Sequence, residues 1–407
     1  MRKLVIYCLG MWVILVCASA YAIAGCGASI GEFSTEPLPD KTVALPPETE
    51  PLLVRLAREE PCNFSRIVLG EEFACLAVYE IVNARDTAAF VRDAEVWVDP
   101  QPAYSAAGIE WDHLHSAIPN MGAIEPNGTV NLSFEDAAVE LEPHSSKTFR
   151  IWALVNPVAT TLDPTVTQPR SGDETFVDIL GVTELDARHA VIEEEITGPL
   201  LVIRKSRPTV TIADAPTRSM RDGRHALFEW TVKANSAGSI GVKQFAFHLD
   251  FSGVEMCDFL LQRNEEGGAT LDVDILAIAP DRLSSADLRE GCLTKSNDIV
   301  VAFHDEHLLL PDAATSFLLV AQARVIDPSA KMKVNFLRTK KVVTDALGCG
   351  EQGFVRFVSN ATMLPGILWS DRSSVVHAWM PCASSRDWIG DALVADLDRS
   401  QSYDASL

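Results

Sequence analysis

Basic residues are scarce in this 407-residue chain, where 34 Lys and Arg stand against 56 Asp and Glu for a formal net charge of −22. An acid surplus of that size argues against nucleic acid as a partner and against adsorption to anionic lipid headgroups. The sequence also lacks the His-Glu-x-x-His of zinc proteases, a phosphate-cradling Gly loop, and a serine elbow set between a strand and a helix. No Cys-x-x-Cys unit is present, so structural zinc has no ligand spacing to use. Helical periodicity is nearly missing. After residue 25 no apolar run approaches membrane-spanning length. Each absence removes a function class: no catalytic site, no metal and no cofactor is expected.

What is present begins at the N-terminus. Arg2 and Lys3 precede an apolar run from Leu4 to Val16 and the small residues Ala18-Ser19-Ala20, which is the order of a secretory signal. The segment ends in Ile23-Ala24-Gly25-Cys26, which resembles the lipobox of bacterial lipoproteins. The resemblance implies cleavage before Cys26, diacylglycerol on its thiol and acylation of the new amino terminus. Two or more acyl chains anchor stably because each buried methylene contributes about 0.8 kcal/mol. An uncleaved anchor over Leu4 to Gly25, or simple secretion, are the alternatives, and all three place the remainder outside the cytoplasm. The expected localisation is therefore extracytoplasmic, with the membrane as partner through the N-terminal lipid.

Cys8 and Cys17 lie in the signal, which leaves Cys62, Cys75, Cys257, Cys292, Cys349 and Cys382. An even count in an exported chain reads as disulfides, although six cysteines allow fifteen connectivities. Pairing sequence neighbours (Cys62–Cys75, Cys257–Cys292, Cys349–Cys382) is the simplest scheme, and free buried thiols are the other reading.

Residues 26–60 are rich in Glu, Pro, Thr and Ser and read as a disordered, lipid-anchored tether after the signal at 1–25. Beyond Cys62 the chain alternates apolar and polar residues, as in Ala94-Glu95-Val96-Trp97-Val98-Asp99 and Leu227-Phe228-Glu229-Trp230-Thr231-Val232-Lys233. A period of two in runs bounded by Gly, Pro, Asn and Asp predicts half-buried antiparallel strands and an all-β sandwich architecture. One short helix is expected at Ser284–Glu290, capped by Ser284 or Ser285.

An internal repeat divides the chain. Ala77, Tyr79, Ile81, Val91, Ala94, Val96, Val98 and Asp99 fall on Phe228, Trp230, Val232, Val242, Phe245, Phe247, Leu249 and Asp250 without gaps. Pro143, Phe149, Ile151 and Ala153 fall on Pro311, Phe317, Leu319 and Ala321 at a larger offset, which places an insertion in the second copy. The expected domains are β-sandwiches at 61–205 and 206–398, followed by a disordered tail at 399–407.

The second copy carries Ser206-Arg207-Pro208-Thr209-Val210-Thr211, then Leu368-Trp369-Ser370-Asp371, Asp387-Trp388 and Leu393-Val394-Ala395-Asp396-Leu397. These resemble the tandem immunoglobulin-like surface domains of candidate-phyla (Patescibacteria-type) bacteria. The resemblance implies a surface-displayed structural or adhesive role and brings no active site.

Some side chains could offer chemistry beyond that role. His113 and His115 share a face if extended, whereas His304 and His307 point to opposite faces of a strand. Asp272 with Asp274, and Asp396 with Asp398, could each offer oxygens to calcium. Trp369, Trp379 and Trp388 would stack on a glycan if exposed and would be core if buried, the latter being usual for large aromatics. The function expected is a non-enzymatic, lipid-anchored surface module. Its partner is a surface protein or glycan, with a carbohydrate-binding lipoprotein or an unfamiliar hydrolase as alternatives.

Overall fold

The computed structural model describes residues 52–405 except 58–66, 71, 100–102, 112–120, 135–137, 161–166, 186–188, 191–195, 215–216, 265–267, 279–284, 339–346, 350–354, 358–363, 375–376, 378–386, 392–393 and 396. The signal, Cys26 and most of the tether lie outside them. Thr49–Leu407 forms one compact unit.

Strands dominate, as the alternation predicts, and no α-helix occurs among the described residues. The first half pairs Leu53–Leu56, Phe73–Asn83, Ser145–Val155, Tyr104–Trp111 and Gly122–Ala123 in one sheet, in that spatial order. Facing it are Ile67–Leu69, Leu201–Arg204, Glu174–Glu184, Ala89–Asp99 and Thr129–Ser133. Inward residues of both sheets, among them Tyr79, Ile81, Val96, Phe149 and Val177, make one core. That is the two-sheet, immunoglobulin-like sandwich expected from the period-two pattern.

The second half repeats the order strand for strand. Pro208–Ile212, Gly223–Ala234, Ala314–Val325, Val254–Arg263 and Cys292–Leu293 form its first sheet. Arg218–Ser219, Ser400–Asp404, Lys331–Phe336, Ile240–Ser252 and Asn297–Leu309 form the second, extended by Val273–Ile278 and Ser285–Asp287. Even local irregularities recur. A bulge interrupts the central pairing between Cys75 and Ala77 and again between Ala226 and Phe228. Ala77 then pairs with Ile151 as Phe228 pairs with Leu319. The left-handed turn residues His144 (φ 53°) and Asp312 (φ 61°) each follow the proline aligned in the sequence repeat.

Three expectations change. Leu53–Leu56, assigned by composition to the tether, is an edge strand whose register runs from Leu53 opposite Val82 to Leu56 opposite Tyr79. Burial of Val54 in the first core outweighs the polar surroundings that suggested disorder. Ser400–Asp404, assigned to a disordered tail, pairs with Lys331–Phe336 and buries Gln401 and Tyr403. Its alternation was too short to read beside so many acids. The segment expected as a helix instead contains the strand Ser285–Asp287, paired with Leu276–Ile278, with Leu288 turned into the core. There Leu288 burial and cross-strand bonding override a weak local helix preference.

Cys257 and Cys292 lie directly opposite on adjacent antiparallel strands and form the expected disulfide, closing a separation of 35 residues. Cys257→Ser with Cys292→Ser should lower unfolding stability by about 2–4 kcal/mol, read from urea melts against the unreduced parent. Cys75 is also disulfide-bonded; its expected partner, Cys62, lies outside the described residues. Cys349 ends the strand Leu347–Cys349, but its side chain, like all of Cys382, is outside the description.

Candidate functional site

Among the described residues, the buried polar side chains Ser171, Arg204, Ser370, Asp371, Ser373 and Asp387 gather where the two halves meet. The cluster is built by a stretch of the second half with no counterpart among the described residues of the first. There Ile367–Ser370 adds to the sheet by pairing with Gly241–Phe245, and Trp388–Ile389 pairs with Trp369 and Ser370. The apolar residues Ile367 and Trp369 enter the second core and thereby fix the polar residues that follow them.

Asp371 is fully buried. Its Oδ2 accepts from the Ser171 hydroxyl (2.5 Å) and from the Lys205 backbone N–H (2.8 Å), both belonging to the first half and its exit. Its Oδ1 accepts from the Ser373 hydroxyl (2.7 Å) and backbone N–H (3.2 Å). Arg204, also buried, donates from Nη1 to Ser171 Oγ at 3.0 Å. Burial pulls the Arg204 guanidinium below its ordinary pKa, while Asp371, Asp387 and Asp173 oppose that shift. The buried cation and carboxylate are linked through Ser171, which accepts from Arg204 and donates to Asp371, and burying either alone would be costly. Leu69 and Val202 of the first half enter the core of the second, so apolar packing runs on beside the polar contacts.

A second layer lies beside the first. The Ser370 hydroxyl donates to Asp387 Oδ2 at 3.0 Å. That same oxygen faces His377 Nδ1 at 2.7 Å, and His377 Nε2 faces Glu306 Oε2 at 2.9 Å. Both ring nitrogens of His377 are thus held between two carboxylates. Glu306 also pairs with Arg372, which holds φ at 51°. Trp388 stacks on the His377 ring at 5.6 Å. Glu306 reaches this position across Gly241, where any side chain would collide with its carboxylate.

Chemically the arrangement is a clamp. Ser370 is committed to a carboxylate and both nitrogens of His377 are engaged, so the cluster presents no hydroxyl beside an unoccupied base. The residues Trp369-Ser370-Asp371 and Asp387-Trp388, singled out by resemblance, are thus its frame. Sequence reasoning missed Ser171, Arg204, Glu306 and His377, which carry no local motif.

The other candidates are dispersed. Trp369 is 0% and Trp388 5% exposed, so neither offers a face to a sugar and the stacking alternative loses both; Trp379 lies outside the described residues. His113, His115 and Asp396 also lie outside them. His304 sits between Asp272 (3.3 Å) and Asp274 (3.1 Å), with the Asp274 hydrogen bond raising its pKa. The two acids do share a face, and their partners are a histidine and Arg289. Asp398 pairs with Arg338 at 3.2 Å. A shallow, open depression lined by His248, Lys333, Asn335, Arg338 and Asp398 is lined by no residue of the clamp.

His307 points away from His304, stacking on Phe303 at 5.4 Å and meeting Thr315 Oγ1 at 3.3 Å. Desolvation first, and Arg263 second, lower its pKa to about 4. Above pH 6.5 the group is neutral in both the folded and the unfolded chain. As pH falls from 6.5 towards 4 only the unfolded chain gains the proton, so folding loses stability. The loss is about 2 kcal/mol once screening at this half-buried site is allowed for. His307→Phe should flatten that part of the pH profile, measured as urea midpoints at pH 7 and pH 5.

No family model matches this chain, and no curated protein matches it. Among solved structures, red sea bream transglutaminase aligns over 70% of this chain at 12% identity with a TM-score of 0.20. The chain spans only 28% of that protein's length. The C-terminal domain of the Streptococcus pyogenes antigen I/II-family protein AspA aligns over 71% of this chain and 95% of its own, at 8% identity and a TM-score of 0.17. A membrane anchored protein from Corynebacterium diphtheriae aligns over 69% and 86%, at 8% identity and a TM-score of 0.17. Scores this low carry no argument about function.

Proposed function

We propose that this chain is a non-catalytic, extracytoplasmic surface module, held to a bacterial membrane by lipid on Cys26 and displaying two sandwiches as one stiff body. Its kin on this reading are the tandem immunoglobulin-like surface domains of candidate-phyla bacteria. The observation that carries the proposal is the buried contact of Asp371 with Ser171 and Lys205. A display element gains from a fixed angle between its modules, and a buried charged network fixes an angle where a solvated linker leaves it free. The N-terminal signal and Ile23-Ala24-Gly25-Cys26 support the anchor, and the Pro- and Glu-rich stretch after it supports a spacer.

The test is expression of the full chain in a lipoprotein-processing bacterium, with labelled palmitate and membrane fractionation. The parent should incorporate label on Cys26 and sediment with membranes. Cys26→Ser should lose the label and leave the membrane fraction. An unlabelled parent that stays soluble after export would remove the anchor, and with it the display role.

A further inference from the structure

We propose that Glu255, Cys257 and Cys292 form a zinc site that opens when the Cys257–Cys292 bond is reduced. The two sulfurs and a carboxylate oxygen of Glu255 lie within 4.8 Å of one another. The sequence shows no zinc spacing because the cysteines stand 35 residues apart, and it is the sheet that brings them together. Glu255 and Cys257 are two residues apart on Val254–Arg263 and share its outer face, while Met256 between them is fully buried. Cys292 lies opposite Cys257 on a two-residue strand at the edge of the sheet, with its side chain exposed.

The fold does not need the bond to build this edge. Ala153 and Ala321 are aligned by the sequence repeat, so Leu154 and Gln322 hold matching positions. Leu154 pairs with Ala106, and Gln322 pairs with Cys257. Ala106 pairs outward with Ala123, just as Cys257 pairs outward with Cys292. The first half therefore closes the same ladder with two alanines and no covalent link. In the chain-entropy model a bridge acts mainly on the unfolded chain, so its loss leaves the strands in register.

Metal binding requires thiolates, which the oxidised pair does not have. A dithiol reductant supplies them. One of its thiolates attacks the exposed Cys292 sulfur, the S–S bond breaks, and Cys257 leaves as a thiolate. The reductant's second thiolate attacks the mixed disulfide, releases Cys292 and departs as the reductant's own disulfide, so two electrons pass to the cysteine pair. Zn2+ then takes both cysteines as thiolates, and their protons pass to solvent. With Zn–S bonds of about 2.3 Å a tetrahedral ion sets the sulfurs about 3.8 Å apart. Side-chain rotation spans that gap from Cα atoms 4.1 Å apart. Glu255 supplies the third ligand and water the fourth. Arg324 pairs with Glu255 at 2.6 Å and orients its carboxylate, as the outer partners of metal ligands do. Zinc and Arg324 together balance the three negative ligands. Paired thiolates select zinc over calcium and magnesium, which take oxygen ligands.

The test uses the full chain, reduced with a phosphine that is then removed. Iodoacetamide labelling of each cysteine is followed by peptide mass spectrometry with and without Zn2+, so the other cysteines do not enter the readout. Zinc should slow labelling of Cys257 and Cys292 together by at least tenfold. Cys257→Ser should abolish the protection of Cys292, and Glu255→Gln should weaken zinc binding at least tenfold. Labelling that zinc leaves unchanged overturns the proposal, as does protection of Cys292 that survives Cys257→Ser or zinc affinity that survives Glu255→Gln. Cys257→Ala with Cys292→Ala copies the alanine pair of the first half and should keep the parental circular dichroism. Loss of the fold in that variant, or in the reduced parent, also overturns it. No arm depends on lipid at Cys26, so failure of the anchor and failure of the zinc site are separable.

Discussion

Asp371→Ala should destabilise the folded chain by about 3–5 kcal/mol, the range expected when one member of a buried charged network is removed and the others stay buried. The variant leaves the Ser171 hydroxyl, the Lys205 N–H and the Ser373 hydroxyl without their acceptor and deprives Arg204 of its strongest compensating charge. The loss falls on the contact between the halves, so a particular signature follows. Each sandwich keeps its own core, while small-angle scattering should report a longer, more variable particle than the parent. Thermal unfolding should also split into two steps or broaden. Asp371→Asn keeps one carbonyl acceptor and should cost less. An Asp371→Ala variant with parental scattering and a single parental transition would show that apolar packing alone sets the angle.

Trp230→Ala is the second large effect, again about 3–5 kcal/mol, because a fully buried large aromatic leaves a cavity that the surroundings cannot close. The ring lies within 6 Å of Phe228, Phe245, Phe247, Phe317 and Phe336, with centroid distances from 4.9 Å to 5.8 Å. Its indole N–H has no hydrogen-bond partner. Trp230→Phe therefore sacrifices volume but no hydrogen bond, and should cost much less than Trp230→Ala. Comparable losses in the two variants, measured by urea denaturation, would mean that the indole N–H contributes and that volume is not the controlling quantity.

Trp230 also shows why so much of the fold could be read in advance. Its place opposite Phe317 repeats that of Tyr79 opposite Phe149, and both pairs were already aligned in the linear repeat. The register of a strand is carried by its own alternation, so a repeat in sequence becomes a repeat in pairing. Cys257–Cys292 was legible for a similar reason, since neighbouring cysteines flank a single excursion of the chain. The errors fall where alternation is too brief to outweigh composition. Leu53–Leu56 and Ser400–Asp404 are four and five residues long, flanked by polar sequence, and each becomes a strand only because a sheet edge is there to receive it.

The clamp was half legible. Trp369, Ser370, Asp371, Asp387 and Trp388 stood out as a pattern, but nothing local says whether a tryptophan stacks on a sugar or fills a core. Ser171 meets Asp371 across a sequence separation of 200 residues, and Glu306 meets His377 across 71. A lone serine or glutamate has no periodicity to announce such a partner.

The sequence by itself determined the class of structure, its duplication and most strand faces, because hydrophobic alternation is a local property that each segment carries with it. It also fixed the acidity that narrows the range of expected partners. Only the tertiary structure decided that the halves are joined by a buried clamp and that the tryptophans at 369 and 388 are core. It also decided that Val273–Ile278 lines the outer edge of Asn297–Leu309 in the second half. Those outcomes depend on which distant side chains share a dry volume or a neighbouring strand, and burial and hydrogen bonding at that range are set by the assembled sheets.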